Sequence, residues 1–289
     1  MLAGPMDTIV TFASGATKGR GEVVQSVTDA RGRPLVVVDR TPFHPVDHTW
    51  PDQPGDVGRC GDNEVVDTLM AAAGPDGELV VGNDIPVKRG EEGWTWLVVH
   101  LLADGSTPPE AGTVVSLAVD EDRRRALSAA HTACHLSALA MNRAAADFWR
   151  KEARLDSLGS PDLDQLAMVS SVMDGEGSTD VYRFGKSLRK RGFEPAAFAE
   201  SLQTVIDQVE HQLATWVDSA APVTVVDGGD LRVSAPRRWR CALPDGLAEI
   251  PCGGTHVPSL AALDRVRVDY QLAPDGTGLT VRTTPNRAA

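Results

Sequence analysis

Two pairs of potential metal ligands stand out in the sequence, each with its members four residues apart. His131 and His135 belong to the segment His-Thr-Ala-Cys-His, and Cys252 and His256 belong to Cys-Gly-Gly-Thr-His. In a helix, residues four apart lie one turn above each other on one face, so both imidazoles of the first pair can reach one ion. The second pair surrounds two glycines, which favour a tight turn at the end of a strand. Three imidazole nitrogens and one sulfur suit Zn²⁺ better than Ca²⁺ or Mg²⁺.

The alternative to a metal site is a structural role for each motif. A pair of histidines on an apolar helix is often a half-buried part of the core, but a turn that joins a thiol to an imidazole has few structural uses. Together the motifs predict a zinc site. Zinc with four protein ligands is structural, whereas zinc with an open position activates water for hydrolysis, and the sequence leaves both possibilities open. Cys134 points away from the two histidines and is interpreted as a buried packing residue.

These motifs resemble the metal-dependent editing domain shared by alanyl- and threonyl-tRNA synthetases. The second motif lies in Glu249-Ile-Pro-Cys-Gly-Gly-Thr-His-Val257, which matches that domain. Thr41-Pro-Phe43 and Gln53-Pro-Gly-Asp-Val-Gly58 are similar to the Thr-Pro-Phe and Gly-Gly-Gln-x-Gly-Asp-x-Gly segments of the family's N-terminal module. With no aminoacylation domain in front, the chain resembles a free-standing alanyl-tRNA editing protein.

The resemblance implies a Zn²⁺-dependent hydrolase of mischarged tRNA, with seryl- or glycyl-tRNA(Ala) as substrate and tRNA as partner. The two helical histidines are then catalytic as well as metal ligands. Backbone N–H groups of Gly253 and Gly254 are candidate donors to the developing oxyanion. Thr132 and Thr255 are candidates, by position, for the residue that reads a substrate hydroxyl. Thr255 is also expected to be one of the catalytic residues, and Gln53 is expected to bind substrate.

Two segments depart from the family pattern. Pro51-Asp52 stands where the family has two glycines, after a loop lengthened by residues 46–50, and Pro258–Leu263 replaces an acidic, glycine-bearing continuation. Both changes lie where substrate should approach, so two further hypotheses stay open. One is a hydrolase of the same fold that acts on a small aminoacyl ester or amide. The other is a binding module with a structural zinc and no catalysis.

Composition indicates an ordinary globular chain. Its 289 residues, 42% hydrophobic and 24% charged, are enough for two domains. No export signal and no apolar stretch of membrane-spanning length is visible, so the sequence predicts a cytoplasmic protein with no membrane partner. Four widely spaced cysteines argue against a disulfide framework. The sequence does not indicate an oligomeric state.

The negative charge of the chain is confined to its front part. Residues 1–122 contain 8 basic and 20 acidic residues, which account for the whole net charge of -12. The remainder is neutral overall and contains basic clusters at Arg123–Arg125, Lys186–Arg191 and Arg237–Arg240. Such clusters can contact phosphates, although clusters of this size are often only solvated surface.

The pattern of short strands and longer helices predicts an α+β fold. Residues 1–122 are predicted to form a small β-barrel-like domain with strands at Glu22–Val27, Pro34–Asp39, Glu78–Val81, Thr95–His100 and Thr113–Val119. Residues 123–289 are predicted to form the editing domain, with a mostly antiparallel sheet packed against helices. Its predicted elements are a helix capped by Asp120 from about Arg123 to Lys151, a helix over Glu194–Val217, and strands at Val223–Val226, Leu231–Ser234, Trp239–Leu243, Val266–Leu272 and Leu279–Thr283.

Overall fold

A computed structural model describes residues 6–29 and 31–287. The chain is α+β with mostly antiparallel sheets, as the sequence predicts. It divides into two compact units. The first contains the described residues up to Arg124, with Val225–Arg237 and Cys252–Thr255; the second contains Arg125–Thr224, Arg238–Pro251 and the described residues from His256 onward. The predicted division into domains 1–122 and 123–289 stays a prediction. None of the described helices is both long and apolar enough to cross a lipid bilayer.

The first unit is built on an antiparallel sheet. Its strands are β1 (Ile9–Val10), β2 (Lys18–Thr28), β3 (Pro34–Val38), β4 (Arg40–Thr41), β5 (Gly58–Cys60), β6 (Asn63–Ala73), β7 (Leu79–Val81), β8 (Thr95–Leu102) and β9 (Val114–Val119). The main sheet has the order β5-β9-β2-β3-β8-β6-β7, and β5 also pairs with β6. This last pairing closes six strands into a ring, which is the barrel-like arrangement that the sequence predicts. Strands β1 and β4 pair in parallel beside it.

Strand β3 is buried on both faces. Val36 and Val38 belong to one buried cluster with Leu117 of β9, whereas Leu35 and Val37 belong to another. Successive side chains of a strand point to opposite faces, so a run of apolar residues supplies both clusters at once. The Pro-Leu-Val-Val-Val sequence therefore suits a strand inside the sheet rather than one at its edge.

The α-helices that the structure describes all follow β9 along the chain. The elements are α1 (Glu121–Ala144), α2 (Leu163–Ala167), β10 (Met168–Met173), β11 (Ser178–Arg183), α3 (Lys186–Lys190), α4 (Pro195–Glu200), α5 (Leu202–Asp218), β12 (Val223–Val226), β13 (Arg238–Leu243), β14 (Gly246–Pro251), β15 (Leu263–Leu272) and β16 (Gly278–Arg287). One antiparallel sheet has the order β10-β11-β16-β15, and a smaller one has the order β12-β13-β14. Helix α5 packs against β15.

Helix α1 begins where the sequence predicts and ends earlier. The Asp120 carboxylate accepts hydrogen bonds from the backbone N–H groups of Asp122 (3.1 Å) and Arg123 (3.0 Å), so the predicted N-cap is confirmed. The predicted extension to Lys151 is wrong, because the helix stops at Ala144. A short 3₁₀ turn follows, and Trp149 then pairs with Phe193 in an antiparallel bridge. This distant pairing ends the helix, which local sequence does not reveal.

Two other predicted elements differ from the structure. The single helix predicted over Glu194–Val217 is two helices, α4 and α5, that meet at Ser201. The Ser201 side chain makes no capping hydrogen bond, whereas Phe198 of α4 packs against Phe184 and Phe193, so tertiary packing accounts for the break. The strand predicted over Leu231–Ser234 is wrong, since only Arg232 forms an isolated bridge there and the segment is otherwise a turn.

Candidate metal centre

Three imidazole rings lie together in the second unit. Helix α1 carries His131 and His135 one turn apart, with ring centroids 4.7 Å from each other. The ring of His256 lies 4.3 Å from that of His131 and 5.1 Å from that of His135. His131 is buried, and the other two are partly exposed. The structure thus brings together three of the predicted ligands.

Hydrogen bonds to Thr132 fix the orientation of His256. The Thr132 hydroxyl donates its only hydrogen to the Ser128 carbonyl (2.9 Å), so it must accept from the Val257 N–H (3.2 Å) and from Nδ1 of His256 (3.2 Å). The proton of the His256 ring is then on Nδ1, which leaves the lone pair of Nε2 to bind a metal ion. Thr132 therefore orients the ring of His256 through Nδ1, the nitrogen that does not face the metal. Its predicted role in binding substrate stays a prediction.

The second helical histidine has a buried nitrogen that no group of the described residues satisfies. Nε2 of His135 is buried and has no hydrogen-bond partner. Burial lowers the pKa of His135 to about 3, so its imidazole is neutral at pH 7, as metal binding requires. An orphaned buried nitrogen is costly in a folded protein, and a metal ion at this position would satisfy it.

Cys252 follows the end of β14 at Pro251, in the first unit. Its backbone N–H donates to the Arg237 carbonyl (3.1 Å), and its Sγ accepts from the backbone N–H of Gly254 (3.4 Å). Burial raises the pKa of the Cys252 thiol to about 12; the charge of Asp52 acts in the same direction and that of Arg89 opposes it. The thiol therefore keeps its proton at pH 7 unless a cation binds beside it.

Gln53 and Thr255 form a buried pair in the first unit. The Gln53 amide donates to the Thr255 hydroxyl (2.8 Å), and its carbonyl accepts from the Thr255 backbone N–H (2.9 Å). Both residues are buried. The two bonds join the loop after β4 to the segment between Cys252 and His256, and this supports a positioning role for the pair. The predicted roles of Gln53 in substrate binding and of Thr255 in catalysis stay predictions.

The four predicted ligands form one group. The candidate ligand atoms of His131, His135, Cys252 and His256 all lie within 4.8 Å of one another. Zinc binds nitrogen at about 2.1 Å and sulfur at about 2.3 Å, so in a tetrahedral site two ligand atoms stand about 3.4–3.6 Å apart. Movements of about 1 Å would bring all four onto one ion. The residues fit zinc by donor type, by spacing and by the unsatisfied nitrogen of His135.

Two residues beside these ligands were not identified from the sequence. The indole of Trp239 lies 5.1 Å from the ring of His135 and 6.0 Å from that of His256. Arg89, which forms an ion pair with Asp47 (3.2 Å), lies beside the glycine turn, because a Cβ added to Gly253 would stand 3.6 Å from its guanidinium. Neither belongs to a local motif, so only the three-dimensional fold could identify them.

Comparison with known proteins supports the predicted resemblance. No family profile matches the chain. Its relatives are proteins of alanyl-tRNA editing and synthesis, so the resemblance that the motifs predict is confirmed. One is the alanyl-tRNA editing protein AlaX-M of Pyrococcus horikoshii, 25% identical over 83% of this chain and 84% of the relative. Another is the alanine–tRNA ligase of Desulfosudis oleivorans, 28% identical over 76% of this chain but only 21% of the relative.

Proposed function

We propose that this protein is a zinc-dependent editing hydrolase that removes serine or glycine from mischarged tRNA(Ala). The convergence of the four ligands is the observation that carries this proposal. The similarity to an alanyl-tRNA editing protein over most of both chains supports the choice of substrate. Editing of this kind is needed because a synthetic site that accepts alanine cannot reject glycine or serine strongly enough by size. The predicted cytoplasmic localisation stays a prediction.

Each site residue has a role in this proposal. His131, His135, Cys252 and His256 would hold the metal, with His256 or another ligand held loosely enough to open a position. A metal ion with an open position would supply Lewis-acid activation for hydrolysis of the ester. Thr132 holds the ring of His256 in the tautomer that binds through Nε2. The protein's own residues otherwise position the substrate and stabilise the charge that develops on its carbonyl oxygen.

The glycine turn is the proposed oxyanion site. The N–H of Gly254 already donates to Cys252 Sγ, so we assign the Gly253 N–H as the donor to the carbonyl oxygen. Gln53 and Thr255 hold this turn by their two hydrogen bonds. Arg89 lies beside Gly253, where its positive charge stabilises the negative charge that develops on the carbonyl oxygen.

Deacylation by the purified, zinc-loaded protein tests the proposal. We expect release of serine or glycine from tRNA(Ala) and much slower release of alanine. A protein that contains zinc and is inactive on all three substrates, beside a working editing enzyme, contradicts the proposal and indicates a structural metal. Equal rates on seryl-tRNA(Ala) and on a small serine ester would instead favour the small-substrate hydrolase.

A further inference from the structure

Two basic segments that are far apart in sequence meet in the second unit. The backbone N–H of Arg150 donates to the Gly192 carbonyl (2.9 Å), and Trp149 forms an antiparallel bridge with Phe193. The Lys151 ammonium donates to the Lys190 carbonyl (3.1 Å). The segment that follows α1 therefore runs beside the segment that follows α3, and their cationic side chains share one region of the surface.

Five exposed cations define what we name the basic face: Lys151, Arg183, Lys186, Lys190 and Arg191. Residues 183–193 contain five basic and no acidic residues, in a chain of net charge -12. Within the described part of the chain, no carboxylate lies at ion-pair distance from these five side chains. The other clusters differ, since Arg238 and Arg240 both pair with Glu249. The five cations of the basic face are thus unpaired among the described residues, while the neighbouring Glu194 pairs with Arg150.

Such a cluster has an energetic cost for the folded protein. Lys186 and Lys190 stand four apart on the short helix α3, an arrangement of like charges that destabilises a helix. Arg191 adds a further charge directly after the helix. A bound polyanion would remove this repulsion, and the counterions that it releases would favour binding.

Packed aromatic rings hold both segments in place. Trp149 and Phe193 lie 5.1 Å apart, Phe184 and Phe193 lie 5.3 Å apart, and Phe198 contacts both phenylalanines at 5.7 Å. Phe184, Phe193 and Phe198 are buried. The guanidinium of Arg189 donates to the Phe184 carbonyl, which fixes the start of α3 from the other side. The backbone under the basic face is therefore preorganised, and binding costs little ordering entropy.

We propose that the basic face binds the phosphate backbone of the acceptor stem of tRNA; the choice of RNA rests on the proposed function. The face offers cations, while the aromatic rings beneath it pack against one another instead of projecting for base stacking. It therefore recognises phosphates without reading sequence. The basic face also lies beyond the end of α1. Ala144, the last residue of this helix, is about 14 Å from His135 along the helix axis. The face therefore contacts RNA away from the ester.

A binding experiment with matched charge changes tests this surface. The triple variant Lys186→Ala, Lys190→Ala, Arg191→Ala is compared with the control Arg238→Ala, Arg240→Ala, Arg282→Ala, which loses the same charge from side chains paired with Glu249 and Asp174. The Kd for deacylated tRNA(Ala) is measured by fluorescence anisotropy from about 50 to about 200 mM salt. We expect the first variant to bind at least about 10-fold more weakly and the control to change little. In the first variant, the slope of log K against log salt concentration should be shallower by about 2.

Two results would overturn the proposal: an unchanged Kd in the first variant, or an equal loss in both variants, which would indicate net charge alone. Equal melting temperatures of the three proteins show that folding is intact.

Hydrolysis of a seryl ester of the 3′-terminal trinucleotide tests the proposed function separately from RNA binding by the basic face. We expect equal rates in wild type and the first variant. A protein that binds tRNA through the basic face but hydrolyses neither seryl-tRNA(Ala) nor the seryl trinucleotide contradicts only the proposed function.

Discussion

Among the described residues, the buried Nε2 of His135 has no hydrogen-bond partner, so it is left unsatisfied when no metal ion is bound. We predict that His135→Ala lowers bound zinc to below a tenth of the wild-type content and abolishes deacylation, because loss of one ligand weakens binding of the ion relative to wild type. Metal analysis after equilibration at a fixed low zinc concentration measures this. His211→Ala, which removes an exposed helical histidine from α5, is the control and should retain its zinc. Full zinc occupancy in His135→Ala would show that this residue is not a ligand.

The Gln53 amide holds the turn between Cys252 and His256. In Gln53→Ala the buried N–H of Thr255 loses its acceptor, which should lower the free energy of unfolding by about 1–3 kcal/mol. We also expect kcat to fall, because the turn is no longer held. Urea denaturation and single-turnover deacylation measure the two effects. Gln203→Ala on the exposed surface of α5 should change neither, and wild-type kcat in Gln53→Ala would argue against a positioning role.

At the level of single residues, the sequence predicts the ligands better than their supports. Four-residue spacing on a helix and around a glycine turn identifies His131, His135, Cys252 and His256, because these relations are local. The contact of Gln53 with Thr255 joins residues 202 positions apart, and the contact of Trp239 with His135 depends on how β13 packs. Sequence spacing contains no information on such pairs.

Helix α5 stabilises the second unit through one apolar stripe. Val205, Val209, Leu213 and Trp216 are buried at spacings of four, four and three, and the helix packs on β15. We predict that Leu213→Ala lowers the free energy of unfolding by about 2–5 kcal/mol through lost contacts and a cavity. Gln208→Ala, on the exposed side of the same helix, should change it by less than about 0.5 kcal/mol. Equal effects in urea denaturation would contradict this assignment of faces.

A buried carboxyl beside α2 should make stability depend on pH. Burial raises the pKa of Asp164 from 3.8 to about 7; the charges of Asp180 and Asp162 add to this, and a hydrogen bond from Tyr182 opposes it. Between pH 4 and pH 7 the folded state therefore holds a proton that the unfolded state has released. Its contribution to stability is fully present below pH 4 and is lost as pH rises through 7.

Asp164→Asn isolates this effect. The free energy of unfolding of wild type should fall by at least about 1 kcal/mol more than that of the variant between pH 4 and pH 7.5, because the amide stays neutral throughout. Asp264→Asn, which removes an exposed carboxyl from β15, should follow wild type. Parallel pH curves for wild type and Asp164→Asn would show that Asp164 ionises normally in the folded protein.

The secondary structure could be predicted where local pattern and tertiary packing agree. Strands β3, β8 and β9 are rich in valine and leucine and were identified, as was the capped start of α1. Strand β6 was missed, since its Leu-Met-Ala-Ala-Ala end has low strand propensity and forms a strand only because β8 and β7 pair with it. The break at Ser201 and the end of α1 are likewise decided by distant aromatic contacts.

Viewed as a whole, the molecule separates its charges. The acidic excess lies in residues 1–122, whereas the basic face lies in the part of the chain with no net charge. Overall charge therefore does not argue against an RNA partner, because binding depends on the local field of the contacting surface. Composition alone could not show this, since the meeting of residues 149–151 with residues 190–193 is a product of folding.

In the proposed function, hydrolysis depends on a metal ion bound by His131, His135, Cys252 and His256. The most direct test is a titration of zinc into chelator-treated protein, with bound zinc and seryl-tRNA(Ala) deacylation measured in the same samples. We predict no activity without metal and a rate that rises in proportion to occupancy until one zinc is bound per chain. Full activity in protein without detectable metal, or no activity at full occupancy beside a working positive control, would contradict it.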